Sequence, residues 1–188
     1  IPMNQKFAAK ENFEVIDNMP LKEFINFNSK VEEAFNKLGM TYDEYVNRAL
    51  DYISSDEYFE FLKSDKGIVA VSRLEREQGY LTAAQGERFK AVLAKGFRDG
   101  KSIDQIARDL RAEDLIPTLE TDTKTLEPMA RSLLIARTEV LRVAQETTQK
   151  AYQDCGVEKV QWLAAMDFRT DEQCAELNGQ VFAMDEAP

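Results

Sequence analysis

The chain has 188 residues, 24 of them Lys or Arg and 34 Asp or Glu, which gives a formal net charge of −10 and a pI near 4.7. With 44% hydrophobic and 31% charged residues it is too apolar to be disordered by composition and long enough to bury a core, and no run approaches the roughly 18–20 apolar residues of a membrane span. It contains no histidine, which removes the commonest general base and every His-based metal motif, and its acidity argues against broad phosphate-backbone binding, which runs on Lys and Arg.

The start, Ile1-Pro2-Met3-Asn4-Gln5-Lys6, lacks the charged head and apolar stretch of a secretory signal, and an initial isoleucine implies a trimmed fragment. Cys155 and Cys174 are too few for a disulfide framework and fit a reducing cytoplasm, each reading as a small apolar buried side chain. Residues 1–65 carry 7 basic and 13 acidic groups, 66–118 carry 10 and 8, and 119–188 carry 7 and 13. Only the middle segment is mildly basic, through Arg73, Arg76, Arg88, Lys90, Lys95, Arg98 and Lys101.

Apolar spacing near 3.6 predicts a first helix from Leu21 through Phe24, Ile25, Val31, Phe35 and Leu38, preceded by Pro20 and closed by Gly39. Thr41 caps a second, with Tyr42, Tyr45, Val46, Ala49, Leu50 and Ile53 on one side, and Ser54 or Ser55 caps a third through Tyr58, Phe59, Phe61 and Leu62. Gly67 to Gly79 has helical spacing at Ile68, Val71 and Leu74. A further helix starts at Thr82, turns Phe89, Val92, Leu93 and Phe97 inward, and stops at Gly100. Ser102-Ile103-Asp104-Gln105 has the capping-box spacing and opens a helix to about Arg111. Asp114 to Leu126, with Pro117 and four threonines, reads as a linker or loop.

The longest signal runs from Pro128 through Leu133, Ile135, Ala136, Val140, Leu141, Val143, Ala144, Ala151 and Tyr152 to Gly156, a spine helix of about 28 residues. The period then changes: Val157 to Ala165 reads as a strand, Thr170-Asp171-Glu172-Gln173 as a capping box opening a two-turn helix ended by Asn178-Gly179, and Gln180-Val181-Phe182 as a second strand. The predicted fold is mainly α. It comprises a helical region over 1–113 (an N-terminal cluster to about 65, then middle helices), a linker over 114–126, and the long helix with a small strand–helix–strand unit over 127–188.

Ala136-Arg137-Thr138-Glu139 on the spine, then Tyr152 and Gly156, Trp162, Asp167-Phe168-Arg169-Thr170, Cys174, Leu177-Asn178-Gly179 and Val181-Phe182 follow one another in an order and spacing that resembles the Mu F-like minor head protein family of tailed bacteriophages, also called phage head morphogenesis proteins. The likeness covers residues 136–188, with Gly100 to Ala107 resembling the family's short helix before its spine; residues 1–80 match no family pattern. The resemblance implies a minor structural protein of the phage head interior, associated with portal and capsid or scaffold proteins and acting in head morphogenesis or DNA delivery. Members commonly continue into a further Cys/His segment. Cys174 alone cannot build a four-ligand zinc site, so no metal or cofactor is expected unless such a segment supplies more ligands.

The residues themselves point to a soluble, cytoplasmically made interaction protein without an active site. Arg137 and Glu139 stand two apart on a helix and face different ways, so they do not form a catalytic pair, whereas Glu139 and Arg142 are spaced to pair on the surface. Asp167, Arg169 and Thr170 fit a fold-fixing polar network at a strand-to-helix turn, with Glu139 as a partner, and Trp162 reads as the core of the small unit. The acid pairs Glu32-Glu33, Asp43-Glu44 and Asp56-Glu57 suit solvated helix starts. The aromatic group Phe24, Phe27, Phe35, Tyr42, Tyr45, Tyr58, Phe59 and Phe61 reads as core that could also expose an anchor patch. With a net charge of −10, only weak, salt-sensitive contact with packaged DNA is expected, through the middle segment. Two other classes fit the residues: the front of a phage-encoded toxin or nuclease fusion, and a helical adaptor unrelated to phage.

Overall fold

The computed structural model describes residues 17–26, 39–63, 83–115, 119–120, 125–126, 128–154, 156–162, 164, 166, 170–184 and 186. The fold is mainly α, as predicted. In chain order the described elements are α1 (Leu21–Asn26), α2 (Tyr42–Ser54), α3 (Asp56–Lys63), α4 (Ala83–Asp99), α5 (Ile103–Ala112), β1 (Leu119–Glu120), β2 (Thr125–Leu126), α6 (Pro128–Asp154), β3 (Lys159–Gln161), α7 (Glu172–Leu177) and β4 (Val181–Ala183). The helix expected to run on to Leu38 is described only as far as Asn26, and the spacing at Gly67–Gly79 lies outside the described residues.

Local chemistry starts α2, α3 and α5 where the sequence says. The Thr41 hydroxyl accepts the Glu44 amide at 3.2 Å while the Glu44 carboxylate accepts the Thr41 amide at 2.6 Å; the Thr41 amide holds that carboxylate below its ordinary pKa. Ser102 and Gln105 form the same reciprocal pair before α5. Ser55 rather than Ser54 caps α3, accepting the Tyr58 amide at 3.2 Å. At the other ends, Gly100 and Gly156 take the left-handed conformation at φ 63° and 75°, and the next amides reach back five residues, Lys101 to the Gly96 carbonyl and Val157 to the Tyr152 carbonyl. The segment read as a linker holds a two-residue ribbon, Leu119 opposite Leu126 and Glu120 opposite Thr125.

One core joins the N-terminal cluster, the middle pair and the spine. It contains Leu21, Tyr45, Ala49, Ile53, Tyr58, Phe89, Leu93, Phe97, Ile103, Ile106, Leu110, Ile135, Ala136, Val140 and Val143. α5 lies along α6, and α2 packs on both α4 and α6. Two glycines inside α4 let α3 and α5 come close to it: a Cβ at Gly86 would stand 2.6 Å from Phe59 Cε2, and one at Gly96 2.6 Å from both Ile106 Cγ1 and Cδ1. Ile106 is fully buried and has nowhere to move. Gly96→Val should therefore lower stability by about 1–3 kcal/mol, read as a reduced midpoint in urea with an unchanged slope.

The C-terminal unit pairs β3 with β4 antiparallel, Val160 opposite Phe182 and Gln161 opposite Val181. No described helix is long and apolar enough to cross a membrane.

Candidate functional site

The residues singled out by pattern fall into two places, the middle of α6 and the C-terminal unit. Along α6 the successive side chains of Arg137, Thr138 and Glu139 diverge, as their spacing requires. Arg137 reaches a residue 120 positions upstream: its Nε donates to Asp17 Oδ1 at 3.0 Å and its Nη2 to Asp17 Oδ2 at 2.5 Å, a forked pair with Asp17 buried. Thr138 turns back on its own helix and donates to the Leu134 carbonyl at 3.0 Å. Glu139 is fully buried and accepts the Tyr58 hydroxyl at 2.7 Å, with Arg142 Nε 3.6 Å from the same oxygen.

Glu139 thus corrects one expectation. Its ion pair with Arg142 is formed, but not on the surface, because α3 covers the carboxylate with Tyr58. Among the described residues its partners are Tyr58 and Arg142, not Thr170; Asp167 and Arg169, the other members of the expected network, lie outside the described residues. Burial raises the Glu139 pKa against the opposing pull of Tyr58 and Arg142. The Tyr58 hydroxyl rises well above its ordinary range, first through burial and then through the Glu139 charge. Neither group is reachable by a substrate: the pair joins the N-terminal cluster to the spine.

Further contacts repeat that joining. Tyr45 donates to the Ala144 carbonyl at 3.1 Å, Arg48 pairs with Asp154, and Lys150 pairs with Glu57 at 3.1 Å while lying 4.7 Å from the Tyr52 ring centre. The Arg142 guanidinium stacks 3.9 Å from the centre of the Phe61 ring, and Lys90 covers Phe59 at 5.2 Å. Tyr45 and Tyr58 are core, while the faces of Phe59 and Phe61 are engaged by cations of the same chain; Phe27 and Phe35 lie outside the described residues. Asp43, Glu44, Asp56 and Glu57 stand exposed in the first turns of α2 and α3, as expected, and Glu57 also meets Lys150 of α6; 32–33 lies outside the described residues.

In the C-terminal unit, the Asn178 side-chain oxygen accepts the Ala164 amide at 3.0 Å, and the Gly179 amide donates to the Trp162 carbonyl at 2.8 Å with Gly179 at φ 84°. These bonds close α7 against β3. The helix start differs by one residue from the expected box. Asp171, not Thr170, is the cap, its carboxylate accepting the Cys174 amide at 2.8 Å and held low by that bond. A carboxylate is the stronger acceptor at this dipole end.

Cys174 is half-buried rather than enclosed, and α7 has no buried residue. The Asp171 carboxylate beside it raises its thiol pKa, which disfavours the reactive thiolate. Cys155 lies outside the described residues, and no described group of three or more His, Cys, Asp or Glu is placed to hold a metal. Trp162 is likewise half-buried, its indole N–H enclosed without a hydrogen-bond partner among the described residues. A three-residue ribbon and a six-residue helix cannot wrap an indole. Trp162→Ala should accordingly cost about 1–3 kcal/mol, below the loss for a fully buried tryptophan. Amide exchange at β3 and β4 is expected to quicken while the helical core stays protected.

Pattern reasoning missed Asp17 and Tyr58, the two partners that give Arg137 and Glu139 their roles. For Tyr58 a signal existed, since a phenol on a core-facing position needs an acceptor; for Asp17 there was none.

A family model described as phage Mu protein F like protein matches residues 87–188, more than half of the chain, from the first turns of α4 to the end. No curated protein and no solved structure matches the chain.

Proposed function

The chain belongs to the phage Mu protein F-like family, and we propose that it is a minor structural protein of a tailed-phage head, associated with the portal and capsid interior and acting without catalysis in head morphogenesis or DNA delivery. The observation that carries this reading is the family match over residues 87–188. It is supported by the fate of the charged residues in the Ala136–Glu139 block: Arg137 and Glu139 are spent on Asp17 and Tyr58. They fasten the chain to itself, which leaves its outer surfaces to meet portal, capsid or scaffold proteins during assembly in the host cytoplasm.

Contact with packaged DNA is the second part of the proposal. Of the basic middle segment, Arg88 is paired with Glu113, Lys90 with Glu87 and Lys101 with Asp109. Lys95 and Arg98 remain exposed on α4; Arg73 and Arg76 are not described. Contact through these cations is weak and fades as salt is added. Co-expression with a tailed-phage portal protein, followed by size-exclusion chromatography and mass spectrometry of purified virions, tests the main reading. Co-elution and virion-associated copies are expected; separate elution at micromolar concentration with no copies in the virion overturns it.

A further inference from the structure

Among the described residues β4 pairs with β3 alone, which leaves its outer edge without a described strand. The Met184 amide donates to the Glu158 carbonyl at 3.0 Å and the Trp162 amide to the Gln180 carbonyl at 2.9 Å, so the intervening pairs alternate along the ladder. Antiparallel geometry then turns the N–H and C=O of Val181 and the N–H of Ala183 away from β3. The Ala183 carbonyl is already occupied by the Glu186 amide at 3.1 Å. The Val181 side chain is 60% exposed. Two three-residue strands are marginal by themselves, and a third strand would supply both hydrogen bonds and apolar cover.

Charge selects the occupant. Residues 155–188 contain seven acidic and two basic groups. Glu176 and Glu186, both exposed, flank β4 in sequence, and the Gln180 side-chain amide ties the end of α7 to the residue before β4 by donating to the Glu176 carbonyl at 2.6 Å. Neither carboxylate forms an ion pair with a described residue. The β3 strand, by contrast, bears Lys159. We propose that the free edge of β4 docks an extended basic segment of another protein as a third strand, its backbone meeting Val181 and Ala183 and its cations meeting Glu176 and Glu186. This rests on the ribbon's own geometry and charge and stands apart from the phage-head reading.

The test uses the full chain and a synthetic nine-residue peptide alternating valine and lysine, against a counterpart with glutamate in place of lysine. Fluorescence anisotropy at low salt should show the lysine peptide binding at least about tenfold more tightly, with the gap closing as salt is added. Amide NMR signals should move first at Val181 and Ala183. Val181→Pro removes an outward N–H without touching a bond to β3 and keeps the net charge, so it should abolish the preference while non-specific attraction would survive it. The Glu176→Lys, Glu186→Lys double variant should invert the preference. Equal binding of the two peptides, shifts centred on Lys159 and Gln161, or a Val181→Pro chain that folds and binds unchanged would each overturn the proposal. If Val181→Pro fails to fold, the double variant decides, since a retained lysine preference there is equally fatal. Self-association of the chain that Val181→Pro removes would make the occupant a second copy and overturn the basic partner.

Discussion

Truncating Phe97 to alanine is expected to lower stability by about 3–5 kcal/mol. Phe97 is fully buried, one helical face down from the equally buried Phe89 and Leu93. α4 is held between α2 and α5, so the vacated ring volume cannot be filled by a local shift. At this chain length the loss corresponds to a thermal midpoint lowered by roughly 10 °C. Lys95→Ala, on the exposed side of the same helix, should stay within about 0.5 kcal/mol. The family match begins at residue 87, yet the core around Phe97 includes Tyr45, Ile53 and Tyr58. The Phe97→Ala chain should therefore show faster amide exchange in α2 and α3 as well as in α4. If exchange rises only in α4, the N-terminal cluster does not share its core.

The second large effect concerns the buried carboxylate. Glu139→Ala leaves the Tyr58 hydroxyl without its acceptor, takes the nearest anion from Arg142 and opens a void, for a cost of about 2–4 kcal/mol. Glu139→Gln keeps the shape and an acceptor for Tyr58 while removing the charge, so it should cost little or nothing at neutral pH. Its signature is in pH dependence. The folded-state pKa of Glu139 is raised above the ordinary 4.5, so between those two values the folded chain binds more protons than the unfolded one. Glu139 therefore makes stability fall as pH rises through that window, and Glu139→Gln removes this part of the slope. Tyr58→Phe should push the Glu139 pKa higher still, because the hydroxyl supports the charged form. Urea midpoints of the three variants from pH 4 to 8 check all of this; an identical slope in Glu139→Gln would show that the carboxylate titrates as though exposed.

The helices were legible because their causes are local. Thr41 with Glu44, Ser102 with Gln105, the period of Phe89, Leu93 and Phe97, and the stops at Gly100 and Gly156 each lie within a few residues of one another, so spacing carries the information. The family likeness at 136–188 was legible for the same reason, as ordered blocks of text, and the match over 87–188 extends it.

What those blocks do was not legible. That Arg137 grips Asp17 across 120 residues and Glu139 takes Tyr58 across 81 depends on how α3 and the first described residues settle on α6, and no local spacing encodes it. The same limit explains the misjudged burials: Trp162 and Cys174 have core-like side chains, but how much is covered depends on the size of the elements around them, and here a three-residue ribbon and a six-residue helix leave both half open. By itself, then, the sequence determined the described helices, the starts at Thr41 and Ser102, the stops at Gly100 and Gly156, and the family, because capping, periodicity and motif order are short-range properties. Only the tertiary structure decided which charges are spent inside the molecule and how far Trp162 and Cys174 are covered, because the free energy of a buried ion pair or a half-covered side chain depends on groups that the chain brings together from far apart.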